Sequence, residues 1–254
     1  MPWWAQILVL LIGGFHAVAG FFHFSRKRHG AVWAGAWALL TLVTAIAGTR
    51  ALLAVFVVTV VLWNAWWASL RPRTDREWAP DVGRQTSGSF EGGLLTVRDV
   101  RCFDWRTETD FDERWETRSY ELARLDSIDL FASYWASPSI AHLIVSFGFE
   151  GSDQLAFSIE VRRQRDELWS NWAGFFKAYE LVTIAGDERD IIRLRTTVRR
   201  EDVYLYRLES TPELRERLLR AYIADCNRLA RVPRFYHTII TNCTTGIVRL
   251  VRAA

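Results

Sequence analysis

A thiol and an imidazole far apart in the chain carry its strongest chemical signal. Cys243 stands in Tyr236-His237-Thr238-Ile239-Ile240-Thr241-Asn242-Cys243-Thr244-Thr245-Gly246-Ile247, where Asn242 is expected to cap a helix with the thiol in its first turn. A helix N-terminus favours thiolate over thiol, the form a nucleophile needs. Upstream, His142 sits in the apolar run Ile140-Ala141-His142-Leu143-Ile144-Val145-Ser146-Phe147, which reads as a buried strand. A histidine in such a run is ordinarily a core residue satisfied by a carbonyl; the Cys243 turn makes it a candidate general base.

The strand after it supplies a third group. Ile140–Phe149 and Leu155–Arg163 read as a hairpin joined by Glu150-Gly151-Ser152-Asp153. Side chains alternate across strands, so His142, Ile144 and Ser146 share one face, and Ala156, Ser158, Glu160 and Arg162 share a face of the next strand. That pairing puts His142 near Glu160 or Val161, and Ile144 near Ser158 or Ile159. A carboxylate there would orient the ring and stabilise its protonated form. The other reading of Glu160 is an ion pair with Arg162, Arg163 or another basic residue, with Ser158 as the orienting group instead. His237 is expected to hydrogen-bond within the Tyr236–Thr241 turn.

Competing chemistries find little support. Ligand-type residues are scattered, with no CxxC or HxxxH spacing, so neither a metal nor another cofactor is expected. There is no glycine-rich phosphate loop and no GxSxG elbow. Of three cysteines, at least one must be a free thiol. Cys226 falls on the stripe Leu214, Leu218, Tyr222, Cys226, Leu229 of an expected helix and reads as core, and Cys102 beside Phe103 reads as packing.

The elements that position these residues divide between two solvents. All 29 acidic residues follow residue 74. Residues 3–24 are one apolar run, and residues 31–69 another, broken by Gly48-Thr49-Arg50. A span needs about 20 apolar residues, so three membrane helices are expected, at about 3–24, 31–48 and 51–69, with Trp3, Trp4, Trp63, Trp66 and Trp67 at run ends. A signal peptide fits the first run poorly, because it lacks a charged start and a cleavage site. Six of the 32 basic residues lie before residue 75, leaving 26 against 29 acids, a net −3 for residues 75–254. That excludes a nucleic-acid footprint.

Residues 71–93, rich in proline and glycine, read as a linker, and 94–254 as one α+β domain. Further strands are expected at Leu94–Phe103, Arg118–Leu122, Tyr179–Ile184, Asp190–Thr197 and Asp202–Leu208, with a short helix at Asn171–Ala178. Thr211-Pro212-Glu213 opens a helix to about Ala230, and the Cys243 helix comes last.

Several motifs agree in order and spacing with one family. Ser-Leu-Arg-Pro at 69–72, Asp104-Trp105-Arg106-Thr107-Glu108-Thr109-Asp110, Trp135 to His142, Phe157-Ser158-Ile159-Glu160-Val161-Arg162, Tyr179-Glu180-Leu181, Asp187-Glu188-Arg189-Asp190, Val203-Tyr204-Leu205-Tyr206 and Asn242-Cys243-Thr244-Thr245 together resemble the bacterial Lnb family of lipoprotein N-acyltransferases. His before Cys also resembles the circularly permuted papain-like enzymes, such as lecithin:retinol acyltransferase. The resemblance implies a permuted papain-like fold and a membrane-anchored enzyme. Cys243 would take a fatty acyl chain from a phospholipid as a thioester and pass it to the N-terminal amine of a lipoprotein. His142 fits the general base and acid, Glu160 or Ser158 the orienter, and the N–H groups of Cys243 and Thr244 an oxyanion site. Asn242 and His237 complete the candidate set.

Two tensions follow. Arg26-Lys27-Arg28 after the first span, with Arg71 and Arg73 after the third, place the domain in the cytoplasm by the positive-inside tendency; the resemblance implies the periplasmic face of the inner membrane. The chain given also ends eleven residues after Cys243, so its helix is expected to rely on Ile247, Val248, Leu250 and Val251, on a missing continuation, or on a partner. A cell-envelope cysteine peptidase or amidase, and a non-catalytic membrane-anchored binding module, are the alternative functions.

Overall fold

The structure is a computed structural model describing residues 1–24, 29–137, 140–151, 153–165, 167 and 169–254. The Arg26-Lys27-Arg28 cluster and Ser152 of the hairpin loop lie outside the described residues. Two compact units emerge: Met1–Pro72 with Trp169–Ala178, and Arg73–Leu168 with Tyr179–Ala254.

The first unit holds α1 (Trp3–Phe24), α2 (Gly30–Ala47) and α3 (Arg50–Ser69), each long and apolar enough to cross a membrane. Gly48 ends α2 in the left-handed region, at φ 58°, and Thr49 caps α3 by accepting from the Leu52 N–H. The break read at Gly48-Thr49-Arg50 is therefore a helix stop followed directly by a helix start. His16 Nδ1 meets Ile12 O at 2.7 Å and its Nε2 meets Asn64 Nδ2 at 3.1 Å, pairing polar groups that lipid would not solvate.

The second unit is α+β. Its strands are β1 (Ser87–Glu91), β2 (Leu94–Arg101), β3 (Asp104–Trp105), β4 (Phe111–Asp112), β5 (Trp115–Glu121), β6 (Leu125–Ser137), β7 (Ile140–Phe149), β8 (Asp153–Arg162), β9 (Glu180–Gly186) and β10 (Asp202–Arg207). An eight-stranded sheet runs β1-β2-β9-β8-β7-β6-β10, with β5 also on β2, and is antiparallel except for the β2–β9 pair. β3 and β4 form a separate ribbon. Helix α5 (Pro212–Arg231) starts at the Thr211 cap, and α6 (Cys243–Ala253) ends the chain.

Alternation sorts the β7–β8 side chains between two layers. Val145, Phe147, Phe157 and Ile159 pack with Leu219, Tyr222, Ile223 and Leu250 on the side of α5 and α6. Ile144 and Ala156 pack with Phe131, Val182 and Ile191 on the opposite side. Burial of both faces explains why these strands read as continuous apolar runs.

Three expectations are corrected. Strand β1 lies inside the stretch read as a linker: Asn227 of α5 donates to Gly88 O at 2.7 Å and accepts from Gly88 N at 3.0 Å. A Cβ on Gly88 would stand 2.9 Å from Thr96 O, so this glycine marks close approach of chains rather than a break. Strand β6, unforeseen, is the partner of β7 along most of its length. Asp190–Thr197, read as a strand, is instead α4 (Glu188–Arg193) running into a π-helical turn at Leu194–Val198. Asp187 caps α4 by accepting from Arg189 N, and the Asp190 carboxylate takes Arg101 at 2.9 Å, Phe103 N at 2.8 Å and Trp105 Nε1 at 2.7 Å. Those bonds outweigh a weak strand propensity.

Candidate active site

Cys243 opens α6 under a capping box. Asn242 Oδ1 accepts from Thr245 N at 2.9 Å, and Thr245 Oγ1 accepts from Asn242 N at 3.0 Å. Asn242 also donates to Thr238 O at 2.7 Å, so the turn before the helix hangs on the same side chain. His237 takes the place expected for it: its Nδ1 accepts from Ile239 N at 3.1 Å and Ile240 N at 3.3 Å. Thr244 Oγ1 lies 4.0 Å from Sγ of Cys243.

The helix bearing the thiol is supported within the chain. Leu250 is buried, Ile247 packs on the main core, and Gly246 lies so close to Ile159 that an added Cβ would stand 2.4 Å from Cδ1. Arg249 reaches the buried Asp225 of α5 at 2.8 Å, where Arg228 and Arg234 also converge. One carboxylate thus ties α6 to α5 and to the segment leading out of it. Of the four residues expected to support α6, Ile247 and Leu250 pack on the core while Val248 and Val251 are exposed, and Asp225, a residue the apolar pattern passed over, adds an ionic anchor.

His142 is on the strand as read. Strands β7 and β8 pair from Phe149↔Asp153 to Ile144↔Ser158, so His142 and Glu160 lie two residues beyond the last pair. Its Nε2 meets Ser158 Oγ at 2.7 Å and Glu160 Oε1 at 3.2 Å, and Ser158 donates to Glu160 Oε1 at 2.6 Å. Ser158 and Glu160 are thus not alternatives, since both hold the same ring nitrogen. Helix α6 packs on β7 and β8 from the other side of the sheet, and the charge of His142 acts on the Cys243 thiol to lower its pKa, with the Leu143 backbone also contributing. Cys243 packs with the core layer on the α6 side of the sheet, whereas His142 has the strand parity of Ile144, on the opposite side with Ser158 and Glu160.

Glu160 does not pair with Arg162 or Arg163. Arg162 donates to Val82 O and Gly83 O, and Arg163 forks onto Asp81. Its partner is Arg195, at 3.0 Å, whose other nitrogen lies 3.4 Å from Glu201; Ser133 Oγ also donates to Glu201. Sequence reading missed Arg195 and Glu201 because the first sits on the π-turn taken for a strand. The remaining signal was an arginine inside an apolar stretch, which is rarely buried without a partner. π-turns place side chains that a regular helix would not.

These charges set the protonation states. Burial pushes Cys243 up, and the charge and hydrogen bond of His142 more than reverse it, leaving the thiol at about 7. Burial lowers His142, Glu160 raises it more than Arg195 lowers it, and the ring ends at about 9. Burial raises Glu160, but His142 and Arg195 hold it well below the usual carboxylate range. A thiolate beside an imidazolium is therefore the stable pair between about pH 7 and 9. By contrast, burial pushes Cys102 up to about 12 and Cys226 higher still. All three cysteines are free thiols; Cys226 is core, as expected, whereas Cys102 also accepts from Arg118 at 3.0 Å.

Among the described residues no group of three His, Cys, Asp or Glu could hold a metal ion. A family model described as the Lnb N-terminal periplasmic domain matches residues 111–254, a span containing Cys243, His142, Ser158, Glu160 and Arg195. No curated protein and no solved structure matches the chain.

Proposed function

This chain belongs to the Lnb N-terminal periplasmic domain family, and we propose that it is a membrane-anchored thiol acyltransferase of the cell envelope, acting on lipoproteins from the periplasmic face. The observation that carries the reading is the geometry around two groups: Cys243 at the capped start of α6, and His142, whose Nε2 is held by Ser158 and Glu160 and whose charge lowers the pKa of the thiol. The order of parts, histidine on a strand and then cysteine on a helix, is the one a permuted papain-like arrangement requires.

Acylation begins with the thiolate attacking the carbonyl carbon of an ester-linked fatty acyl chain. The developing oxyanion is met by the N–H groups of Cys243 and Thr244 at the helix start. Collapse breaks the C–O bond, His142 gives its proton to the departing alkoxide, and the acyl group stays on sulfur as a thioester. A neutral amine, the N-terminus of a lipoprotein, then attacks that carbonyl. His142, now neutral, takes the amine proton, and the thiolate leaves with an amide formed. Glu160 and Ser158 keep the ring aimed and favour its charged form in both halves. The apolar helices α1–α3 give such an enzyme access to lipid esters.

The test is intact-protein mass. Full-length protein in bilayers of acyl-labelled phospholipid should gain one hydroxylamine-labile acyl mass, absent in Cys243→Ala; product formed by Cys243→Ala would end the proposal. If the mass appears only when a diacylated lipoprotein is added, and without phospholipid label, the ester opened is on the lipoprotein itself. An envelope peptidase or amidase would use the same Cys243–His142 pair. It predicts peptide cleavage without lipid and gives no role to three apolar helices.

A further inference from the structure

The segment Trp169–Ala178, Trp-Ser-Asn-Trp-Ala-Gly-Phe-Phe-Lys-Ala, belongs with the apolar helices although the chain reaches it a hundred residues after them. It contains two tryptophans, two phenylalanines, one lysine and no acid. Its inner side is fastened to the C-terminal ends of α1 and α3. The Phe176 ring stacks on Phe22, with centroids 5.6 Å apart and planes 1° from parallel, and its carbonyl meets His23 Nδ1 at 3.2 Å. Lys177 donates to Trp67 O at 2.8 Å and lies 5.5 Å from the Trp67 ring centroid. Ala173 and Gly174 are buried in the short 3-10 turn Ala173–Phe175.

Its outer side is apolar and exposed: Trp172 is 66% and Trp169 44% accessible. The level at which these indoles lie follows from helix length. The 22 residues of α1 span about 33 Å at 1.5 Å per residue, close to the hydrocarbon thickness of a bilayer. The C-terminal ends of α1 and α3, marked by Phe24 stacked on Trp66 and by Trp67 set edge-on to Trp66, therefore fall at the boundary between lipid and water. Indole rings with a lysine ammonium, and no acid to be repelled by anionic headgroups, are the residues that boundary selects.

We propose that Trp169–Ala178 is an interfacial anchor, lying in the phospholipid headgroup layer with Trp169 and Trp172 directed into lipid. The occupant of this aromatic face is the bilayer, because the segment is fastened to the ends of α1 and α3, whose exposed side chains, such as Val18 and Phe21, and Val61 and Leu62, are apolar. The inference is independent of acyl transfer and rests on α1–α3 crossing the membrane.

The experiment places a photoreactive p-benzoyl-phenylalanine at Trp172 and, separately, at Leu11, an exposed residue of α1, in full-length protein within phosphatidylethanolamine–phosphatidylglycerol nanodiscs. Mass spectrometry after illumination should find a gain of one phospholipid at both positions. Phospholipid at Leu11 with none at 172, or protein crosslinks at 172 instead, overturns the anchor. No lipid at Leu11 overturns the membrane-crossing helices as well. Unmodified protein provides a second readout by hydrogen exchange. Amides 170–173 should exchange more slowly in nanodiscs than in the same protein held in amphipol, and equal rates would overturn the proposal too.

Discussion

Replacing His142 by Asn, close in size and without a titrating nitrogen, isolates the contribution of the imidazole to the thiol. Cys243 titrates at about 7 with His142 beside it; with the ring gone, burial remains and the thiol returns to about 9 or above. At pH 7 the thiolate fraction falls from about one half to about 1%, roughly 50-fold. A more basic thiolate is a better nucleophile, with a Brønsted slope of about 0.4–0.5, which returns roughly 6- to 10-fold over two units. The net expectation for iodoacetamide is about 5- to 8-fold slower alkylation of the variant at pH 7, equal rates near pH 8, and a faster variant at pH 9. Peptide mapping reads the rate at Cys243 alone, since Cys102 and Cys226 remain protonated across this range. A change in access alters the rate but not the titration midpoint. A midpoint that stays near 7 in the variant would refute the pairing and leave thiolate stabilisation to the helix N-terminus.

The other predictions concern the groups behind the pair. Turnover of the wild type should be bell-shaped, falling below about pH 7 as the thiolate is protonated and above about 9 as His142 loses the proton it must donate. Glu160→Gln removes what raises His142, so the alkaline limb moves down. Arg195→Met removes what lowers it, so that limb moves up, while leaving the part-buried Glu160 without its arginine and Glu201 with Arg199 alone, 3.8 Å away, costs about 3–5 kcal/mol in urea unfolding. Because the folded pKa of Glu160 is depressed, its stabilisation is present above its unfolded value of 4.5 and lost as the pH falls; Glu160→Gln should flatten acid unfolding there. Gly246→Ala drives a Cβ into Ile159 and should cost about 1–3 kcal/mol, recovered in the double variant with Ile159→Val, which removes the clashing Cδ1. Asp225→Asn should weaken its three arginine contacts and speed hydrogen exchange in α6 more than in α4.

Local sequence determined a good deal of this protein. The three apolar helices, the Thr211 and Asn242 caps, the β7–β8 hairpin and the face shared by Ser158 and Glu160 are set by neighbours in the chain, through period, capping chemistry and strand alternation. These fixed a thiol at a helix start and a carboxylate across from a histidine. Tertiary structure decided what long-range contacts alone can decide. Asp190 turned an apparent strand into a helix because Arg101, Phe103 and Trp105 come to it from earlier in the chain. Arg195 became the partner of Glu160 only once that helix had formed. Asp225 anchored α6 through arginines that no spacing rule groups together. The thiol–imidazole pair is likewise tertiary, since its members belong to opposite layers of one sheet and meet where the ladder between β7 and β8 has ended. Periodicity reports which face of an element is apolar, while a charge buried in that face acquires meaning only from the distant residue that satisfies it.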